Sequence, residues 1–188
     1  DVPTIPGYTP SQTAVAQGTP IFGDNPTVKI SYTANDGTQT IEYVDDNGKV
    51  VGTQTIKGKT DQTVDVVPEL PDGWTGKAPA NVKIKAQDDP IKVTVEHGTI
   101  KVDADQPVKA GTLVPGTADK HFPAGVDQND LNQVLTRTIT VNDPHEGVKT
   151  ITQTAKIYRD AVVDMVDGSV VYGDWSTAEW PEYAVPTV

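Results

Sequence analysis

The stretch Thr40-Ile41-Glu42-Tyr43-Val44-Asp45-Asp46-Asn47-Gly48-Lys49-Val50-Val51-Gly52-Thr53 contains the clearest structural signal in the chain. Two runs rich in β-branched residues, Ile41–Val44 and Val50–Ile56, flank the polar residues 45–48. Asn-Gly tolerates positive φ, and a short loop of this kind matches the twist of two paired strands. The stretch therefore predicts an antiparallel β-hairpin.

Composition extends this prediction to the whole chain. Of the 188 residues, 62 are Val, Ile or Thr, whereas only four are Leu and one is Met. β-branched residues fit a pleated, half-buried surface, and a helical domain would need many more Leu, Ala and Met. The frequent Gly and Pro residues suit short strands joined by tight turns. These proportions exclude an all-α fold and disfavour a doubly wound α/β fold.

Alternation of polar and apolar residues predicts further strands on both sides of the hairpin. Residues 1–26 contain five prolines and favour an extended, polyproline-like segment. One short helix is expected within 127–135, capped by Asp127 or Asn129. The strands predicted outside the hairpin are 28–33, 64–66, 81–86, 91–96, 136–141, 148–158, 161–166 and 169–172, with 81–86 joined to 91–96 across 87–90.

The two ends of the chain resemble each other. Val2-Pro3-Thr4-Ile5 opens the sequence, and Val185-Pro186-Thr187-Val188 closes it at an offset of 183 residues. We therefore expect one period of a tandem array. The first residue is Asp1 rather than Met, which agrees with a piece of a longer protein. Signals for targeting and anchoring are then expected elsewhere in the parent chain.

Charge and cysteine content exclude several classes of function. The chain carries 15 basic and 26 acidic side chains, a formal net charge of −11. Nucleic acid and anionic lipid are disfavoured as partners, because both are bound through clustered Lys and Arg. No apolar run approaches the roughly 18 residues that a membrane-spanning helix needs. The absence of Cys excludes disulfides, thiolate zinc sites and cysteine nucleophiles.

Residues typical of catalysis or metal binding are sparse. His97, His121 and His145 are the only histidines, and none lies at metal-ligand spacing from another. The acidic stretches 45–48 and 103–105 lack the ligand spacing of an EF-hand, and no nucleophile elbow, P-loop or dinucleotide motif is present. We predict that the chain is not an enzyme, with no catalytic residues, no cofactor and no metal site.

Several motifs, taken in order, resemble a known family. They are 40–53, 56–60 and 70–74 in the first half, and 135–139, 143–147, 172–175 and 185–188 in the second. Through these motifs the first half resembles a mucin-binding (MucBP-type, or B1) module and the second half a B2-type module, paired as in the repeats of mucus-binding adhesins of gut lactic-acid bacteria. We place the modules at 1–100, including the Pro-rich inter-repeat segment 1–26, and at 101–188.

The resemblance implies both a fold and a function. The implied fold is a β-rich α+β class with two tandem β-grasp (ubiquitin-like) modules in an elongated arrangement. The implied function is host-ligand binding by an extracellular, cell-wall-anchored adhesin, with mucin glycoproteins, immunoglobulins and neighbouring repeats of the same chain as partners. The alternative is a structural stalk repeat without a ligand of its own. Two points stay open: whether 27–34 packs on the first module or belongs to a preceding repeat, and where the boundary lies within 97–125.

Aromatic residues are the candidate ligand-binding residues, because glycan and protein interfaces both favour exposed aromatic rings. Trp180 lies between Glu179 and Pro181 and is the least strand-like of the tryptophans, whereas a core position is favoured for Trp74 and Trp175. The predicted ligand-binding set lies in the last 17 residues of the chain and consists of Trp180, Tyr183, Trp175 and Tyr172.

Overall fold

Thirteen β-strands and one single-turn α-helix form the regular structure in the computed structural model, which describes residues 1–23 and 25–185. The predicted β-rich class is confirmed. The described residues form two compact units: Asp1–Pro71 with Thr75–Glu96, and Asp72–Trp74 with the residues from His97 onward. The closing motif, apart from Val185, lies outside the described residues.

The strands of the first half are short except for the central hairpin. They are β1 (Tyr8–Pro10), β2 (Tyr32–Ala34), β3 (Asp36–Val44), β4 (Val50–Lys59), β5 (Thr63–Asp65), β6 (Trp74–Gly76), β7 (Asn81–Lys83) and β8 (Ile91–His97). The second half contains β9 (Thr99–Val102), α1 (Gln128–Leu131), β10 (Asn132–Asp143), β11 (Gly147–Tyr158), β12 (Ala161–Asp164) and β13 (Val170–Tyr172).

The hairpin predicted from the opening stretch is confirmed as β3 and β4. Gly48 adopts a φ of +78°, and the Asp45 carboxylate accepts hydrogen bonds from the backbone N–H groups of Asn47 and Lys49. The hairpin lies in a four-stranded sheet of order β4-β3-β8-β6, in which β3 and β8 run parallel. β3 is thus paired along both edges, and four of its nine residues are buried.

Alternate residues of β3 form the core of the first unit. Gln39, Ile41 and Tyr43 are fully buried. The Tyr43 hydroxyl donates to Gln54 Oε1 at 2.8 Å, so the one polar atom of the ring is satisfied. Burial of the ring raises the pKa of Tyr43, and this cause outweighs the backbone hydrogen bond at Glu69, which lowers it.

The N-terminal segment packs on the first unit. β1 pairs antiparallel with β2, and the Tyr8 hydroxyl donates to Asp61 Oδ2 at 2.8 Å. Gly7 has a φ of +78° and lies so close to Thr60 that a Cβ would come within 2.5 Å of its Cγ2. Residues 27–34 lie within the first unit, where β2 pairs with β1, and the strand begins at Tyr32 and not at Val28.

Two predicted strands pair differently from expectation. Residues 81–86 and 91–96 were expected to be joined neighbours, but β7 pairs with β5, whereas β8 pairs in parallel with β3. The strand over 81–86 also ends at Lys83. Local alternation marked where these strands lie, but their partners are distant in sequence and leave no local signal.

The second unit has its core under a three-stranded sheet of order β13-β12-β9. The short helix α1 forms near its predicted place, with Asp127 as the N-cap in a capping box with Asp130. The helix, Gln128–Leu131, lies within the predicted range 127–135, and β10 begins at the next residue, Asn132. The buried core residues are Val102, Ala104, Val114, Phe122, Val126, Leu131, Ala161 and Val163.

β10 and β11 form a separate two-stranded sheet with a register running from Asn132↔Tyr158 to Asp143↔Gly147. One face presents three exposed cross-strand threonine pairs, Thr136↔Thr154, Thr138↔Thr152 and Thr140↔Thr150. The opposite face contains half-buried side chains, among them Ile139 and Ile151. This hairpin has one buried residue, Ala155, among its described side chains.

Candidate functional site

The predicted aromatic residues lie on the end of β13 and on the C-terminal tail, residues 173–185, which contacts the β10–β11 hairpin. The Ser176 hydroxyl accepts a hydrogen bond from the Tyr158 N–H at 2.9 Å, and the Ser176 N–H donates to the Tyr158 carbonyl at 2.7 Å. These two bonds attach the tail to the end of β11.

Tyr172 and Trp175 lie on either side of one arginine. The Arg159 guanidinium carbon lies 3.6 Å from the Tyr172 ring centroid and 4.5 Å from that of Trp175. The Tyr172 hydroxyl donates to the Gly125 carbonyl at 2.9 Å. A Cβ on residue 125 would come within 2.5 Å of the Tyr172 hydroxyl oxygen, so glycine leaves room for this contact. Arg159 Nε also donates to the Asp130 carbonyl at 3.2 Å. Cation–π stacking therefore fixes these two rings in place.

Trp180 stacks in a similar way on the second arginine. The Arg137 guanidinium carbon lies 5.3 Å from the Trp180 ring centroid, and one of its terminal nitrogens donates to the Pro181 carbonyl at 2.9 Å. Arg137 also donates to Gln153 Oε1 on the neighbouring strand, with Nε at 3.0 Å. The tail is thus fastened to the half-buried face of the hairpin at two points.

Around Trp180 the tail and β10 enclose an open groove of about 420 Å³. We call this the tail groove; it is lined by Arg137, Ile139, Trp180, Pro181, Glu182, Tyr183 and Val185. Trp180 and Tyr183 are half-buried, so part of each ring faces solvent. A ring held by an arginine and open on its other side offers a rigid apolar surface to a ligand.

The four predicted aromatic residues therefore form two groups. Tyr172 and Trp175 enclose Arg159, and Trp180 and Tyr183 line the tail groove. The sequence interpretation missed both arginines. They are the only two arginines of the chain. The available signal was that the chain has two arginines beside 13 lysines, both upstream of an aromatic tail. A guanidinium group stacks on an aromatic ring better than an ammonium group does.

One group among the described residues has donor atoms close enough to share a metal ion. Atoms of His97, Asp164 and Asp167 lie within 4.8 Å of one another. The Asp164 carboxylate already accepts from His97 and from the backbone N–H groups of Val166 and Asp167. Although burial raises the pKa of Asp164, these hydrogen bonds outweigh it and hold the pKa below its usual range. The arrangement is explained as a hydrogen-bonded turn, and the predicted absence of metal and cofactor stays a prediction.

No helix in the described part of the chain has the length and hydropathy to cross a membrane.

Comparison with known proteins gave one family and several solved structures. Residues 126–188 match the family model of the Muc B2-like domain. The chain is similar to Mub-RV, with 23% identity, 76% of this chain and 73% of that chain covered, and a TM-score of 0.40. It is also similar to the type 2 repeat of the mucus binding protein MUB from Lactobacillus reuteri, with 18% identity, coverage of 81% and 83%, and a TM-score of 0.37. The search of curated proteins gave no match. The family match confirms the predicted resemblance to a mucus-binding repeat with a B2-type module in its second half.

Proposed function

We propose that the chain is a host-ligand-binding repeat of a bacterial cell-surface adhesin that attaches to mucin glycoproteins through weak, multivalent contacts. The observation that carries the proposal is the match of residues 126–188 to the Muc B2-like domain. The aromatic residues predicted to bind ligand lie in this matched region, and two of them line the tail groove.

The electrostatics of the chain indicate how such a repeat binds. A net charge of −11 repels the acidic sugars of mucins at long range, so attraction at a distance does not steer the encounter. Binding then depends on short-range stacking and hydrogen bonds at sites such as the tail groove. Repetition of a weak site raises the effective concentration of the next one, which gives strong attachment without a strong single site.

Mucin retention tests the proposal. Purified mucin is passed over the immobilised chain, and over a tandem array of it, at neutral and mildly acidic pH. Trp180→Ala and Tyr183→Ala remove the rings of the tail groove, whereas Phe22→Ala removes a fully exposed ring from the other unit and serves as the control. We expect retention by the unmodified chain, a loss of severalfold in the two groove variants and no change in the control. Failure of both the single repeat and the array to retain mucin would reject the function.

Immunoglobulin binding is a second candidate function, and the free edges of the β10–β11 sheet favour it. Within the described chain this sheet has two strands, so β10 and most of β11 present unpaired backbone groups along their outer edges. An exposed edge of this kind can add to the sheet of a partner. Amide hydrogen exchange in the presence of immunoglobulin tests this route, and unchanged exchange along both strands would argue against it.

Three further expectations belong to the same proposal. They are the division into modules 1–100 and 101–188, the β-grasp fold of each in an elongated tandem, and the place of the repeat beside others in a cell-wall-anchored extracellular protein. The mixed sheet of the first unit, with its parallel pair β3 and β8, supports the β-grasp assignment for that module. A stalk repeat without a ligand is the competing interpretation, and the mucin retention experiment separates the two.

A further inference from the structure

A second cleft, of about 420 Å³, lies at the base of the β10–β11 hairpin, away from the tail groove. Its walls come from the turn after β9, the first residue of β10, the last residue of β11 and Asp160. We call it the base cleft. Its volume lies within the range of about 300–1,000 Å³ typical of small-ligand sites.

The base cleft is acidic, with three carboxylates and one nearby ammonium. Lys101 Nζ bridges Asp103 and Asp160 and lies 2.8 Å from Asp160 Oδ2. The hydrogen bond from Lys101, together with the one from the Ala104 N–H, lowers the pKa of Asp160, so this carboxylate is ionised at neutral pH. Asp105 lines the cleft and is exposed, so its carboxylate oxygens can be reached by a ligand. This charge balance disfavours anionic ligands such as sialylated or sulfated sugars.

The geometry also disfavours a metal ion. Among the described residues, donor atoms lie within 4.8 Å of one another in the group His97, Asp164 and Asp167. The carboxylates of the base cleft, from Asp103, Asp105 and Asp160, do not form such a group. Moreover, the Lys101 ammonium already lies between two of the three carboxylates, where it would repel a cation.

The remaining groups of the base cleft suit hydroxyl groups and a C–H face. Asn132 Nδ2 donates to the Ala104 carbonyl at 2.8 Å, which fixes the amide and leaves its Oδ1 as an acceptor. Gln106 adds a second amide, and the Tyr158 ring is 57% exposed at the wall. Carboxylates and amides exchange hydrogen bonds with several hydroxyl groups at once, while an aromatic face packs against an apolar one.

Resting on the proposed function, we propose that the base cleft binds an uncharged sugar ring of a mucus glycoprotein, with Asp105 and Asn132 accepting from its hydroxyl groups and Tyr158 packing against its C–H face. The cleft and the tail groove then act as separate contact points within one repeat.

The test titrates the whole chain with N-acetylgalactosamine, with galactose and with sialic acid, and follows backbone amide shifts by NMR. We expect the two uncharged sugars to shift the amides of residues 103–106 and 132 at millimolar concentrations, and sialic acid to shift none. Asp105→Asn and Tyr158→Ala are expected to weaken binding at least fivefold, whereas Tyr158→Phe keeps the ring and the affinity. Phe22→Ala, which removes an exposed ring of the first unit, is the control and is expected to leave these shifts unchanged.

The outcomes separate the base cleft from the function as a whole. Absence of shifts in the cleft, or an unchanged affinity in both Asp105→Asn and Tyr158→Ala, overturns the sugar site even when the chain retains mucin. Shifts with calcium chloride but with no sugar overturn it in favour of a cation site. Sugar shifts that the two variants abolish, in a chain that retains no mucin, keep the site and reject the proposed function.

Discussion

The two long hairpins of the molecule are built from similar sequences but are buried very differently. Both are rich in Thr, and both contain Thr-Gln-Thr, at 38–40 and at 152–154. In β3, Gln39, Ile41, Tyr43 and Val44 are buried. In the β10–β11 hairpin, whose strands have 12 residues each, Ala155 is the one buried residue among the described side chains.

The difference comes from what covers each hairpin. β8 pairs beside β3 and completes a sheet, so the apolar residues of β3 lose their contact with water. The β10–β11 hairpin has no third strand among the described residues. Its half-buried face is instead contacted by the tail, fastened through two arginine–aromatic stacks. The comparison shows that the alternation of polar and apolar residues specifies which face of a hairpin is apolar. The rest of the fold determines how far the side chains of that face are buried.

The largest expected effect comes from truncating one isoleucine in each hairpin. Ile41→Ala leaves a cavity in a fully buried site and is expected to destabilise the first unit by about 2–5 kcal/mol. Ile151→Ala removes the same atoms from a half-buried site and is expected to cost about 1 kcal/mol. Urea unfolding followed by residue-resolved NMR measures both costs. Equal losses would show that the two hairpins are equally well packed, against the comparison.

A smaller effect is expected from releasing the tail. Arg159→Ala removes the cation between Tyr172 and Trp175 and is expected to cost about 1–2 kcal/mol in the second unit. Amide hydrogen exchange in β10 and β11 should then become about tenfold faster. Lys156→Ala, on the exposed face of β11, is the matched control and is expected to change neither quantity. Unchanged exchange in Arg159→Ala would mean that the tail does not stabilise the hairpin.

The smallest effect is a pH dependence confined to the first hairpin. Burial raises the pKa of Tyr43 above its unfolded value, so this phenol contributes stability that is complete below about pH 10 and is lost as the pH rises through the folded-state pKa. Tyr43→Phe is expected to cost about 1 kcal/mol at neutral pH, through the lost hydrogen bond to Gln54, and to reduce the alkaline loss.

Val95→Ala controls for the pH measurement, because it loosens the same core and keeps the phenol. Urea unfolding at several values between pH 8 and pH 12 should show the alkaline loss in this variant and in the unmodified chain. Persistence of the full loss in Tyr43→Phe would assign it to another group.

Local signals in the sequence predicted the elements well. The Asn47-Gly48 turn located β3 and β4, and Asp127 located the start of α1, because turns and caps depend on a few adjacent residues. The pairing of β8 with β3, and of β12 with β9, was not predicted. These pairs join residues 50 to 65 positions apart, and a strand's alternation is the same whichever partner it finds.

The aromatic residues of the candidate site were predicted from the sequence, but the arginines that hold them were not. Aromatic rings could be selected because they are scarce in this chain, and the four selected residues do lie together on the end of β13 and the tail. What holds them was not visible, since Arg137 and Arg159 lie in and just after strands far upstream of the tail. The base cleft was missed for the same reason: its walls come from three separate parts of the chain, 103–106, 132 and 158–160.

The parallel pairing of β3 and β8 also has a mechanical consequence. Tension along the chain pulls β3 backward, toward its N-terminal end, and β8 forward, toward its C-terminal end. Because the two strands run in the same direction, they are pulled past each other, and the pairs from Ile41↔Ile91 to Val44↔Thr94 bear the load simultaneously. An antiparallel hairpin pulled open from its ends breaks its pairs one after another. The first unit is therefore expected to resist tension through simultaneous shear of these pairs.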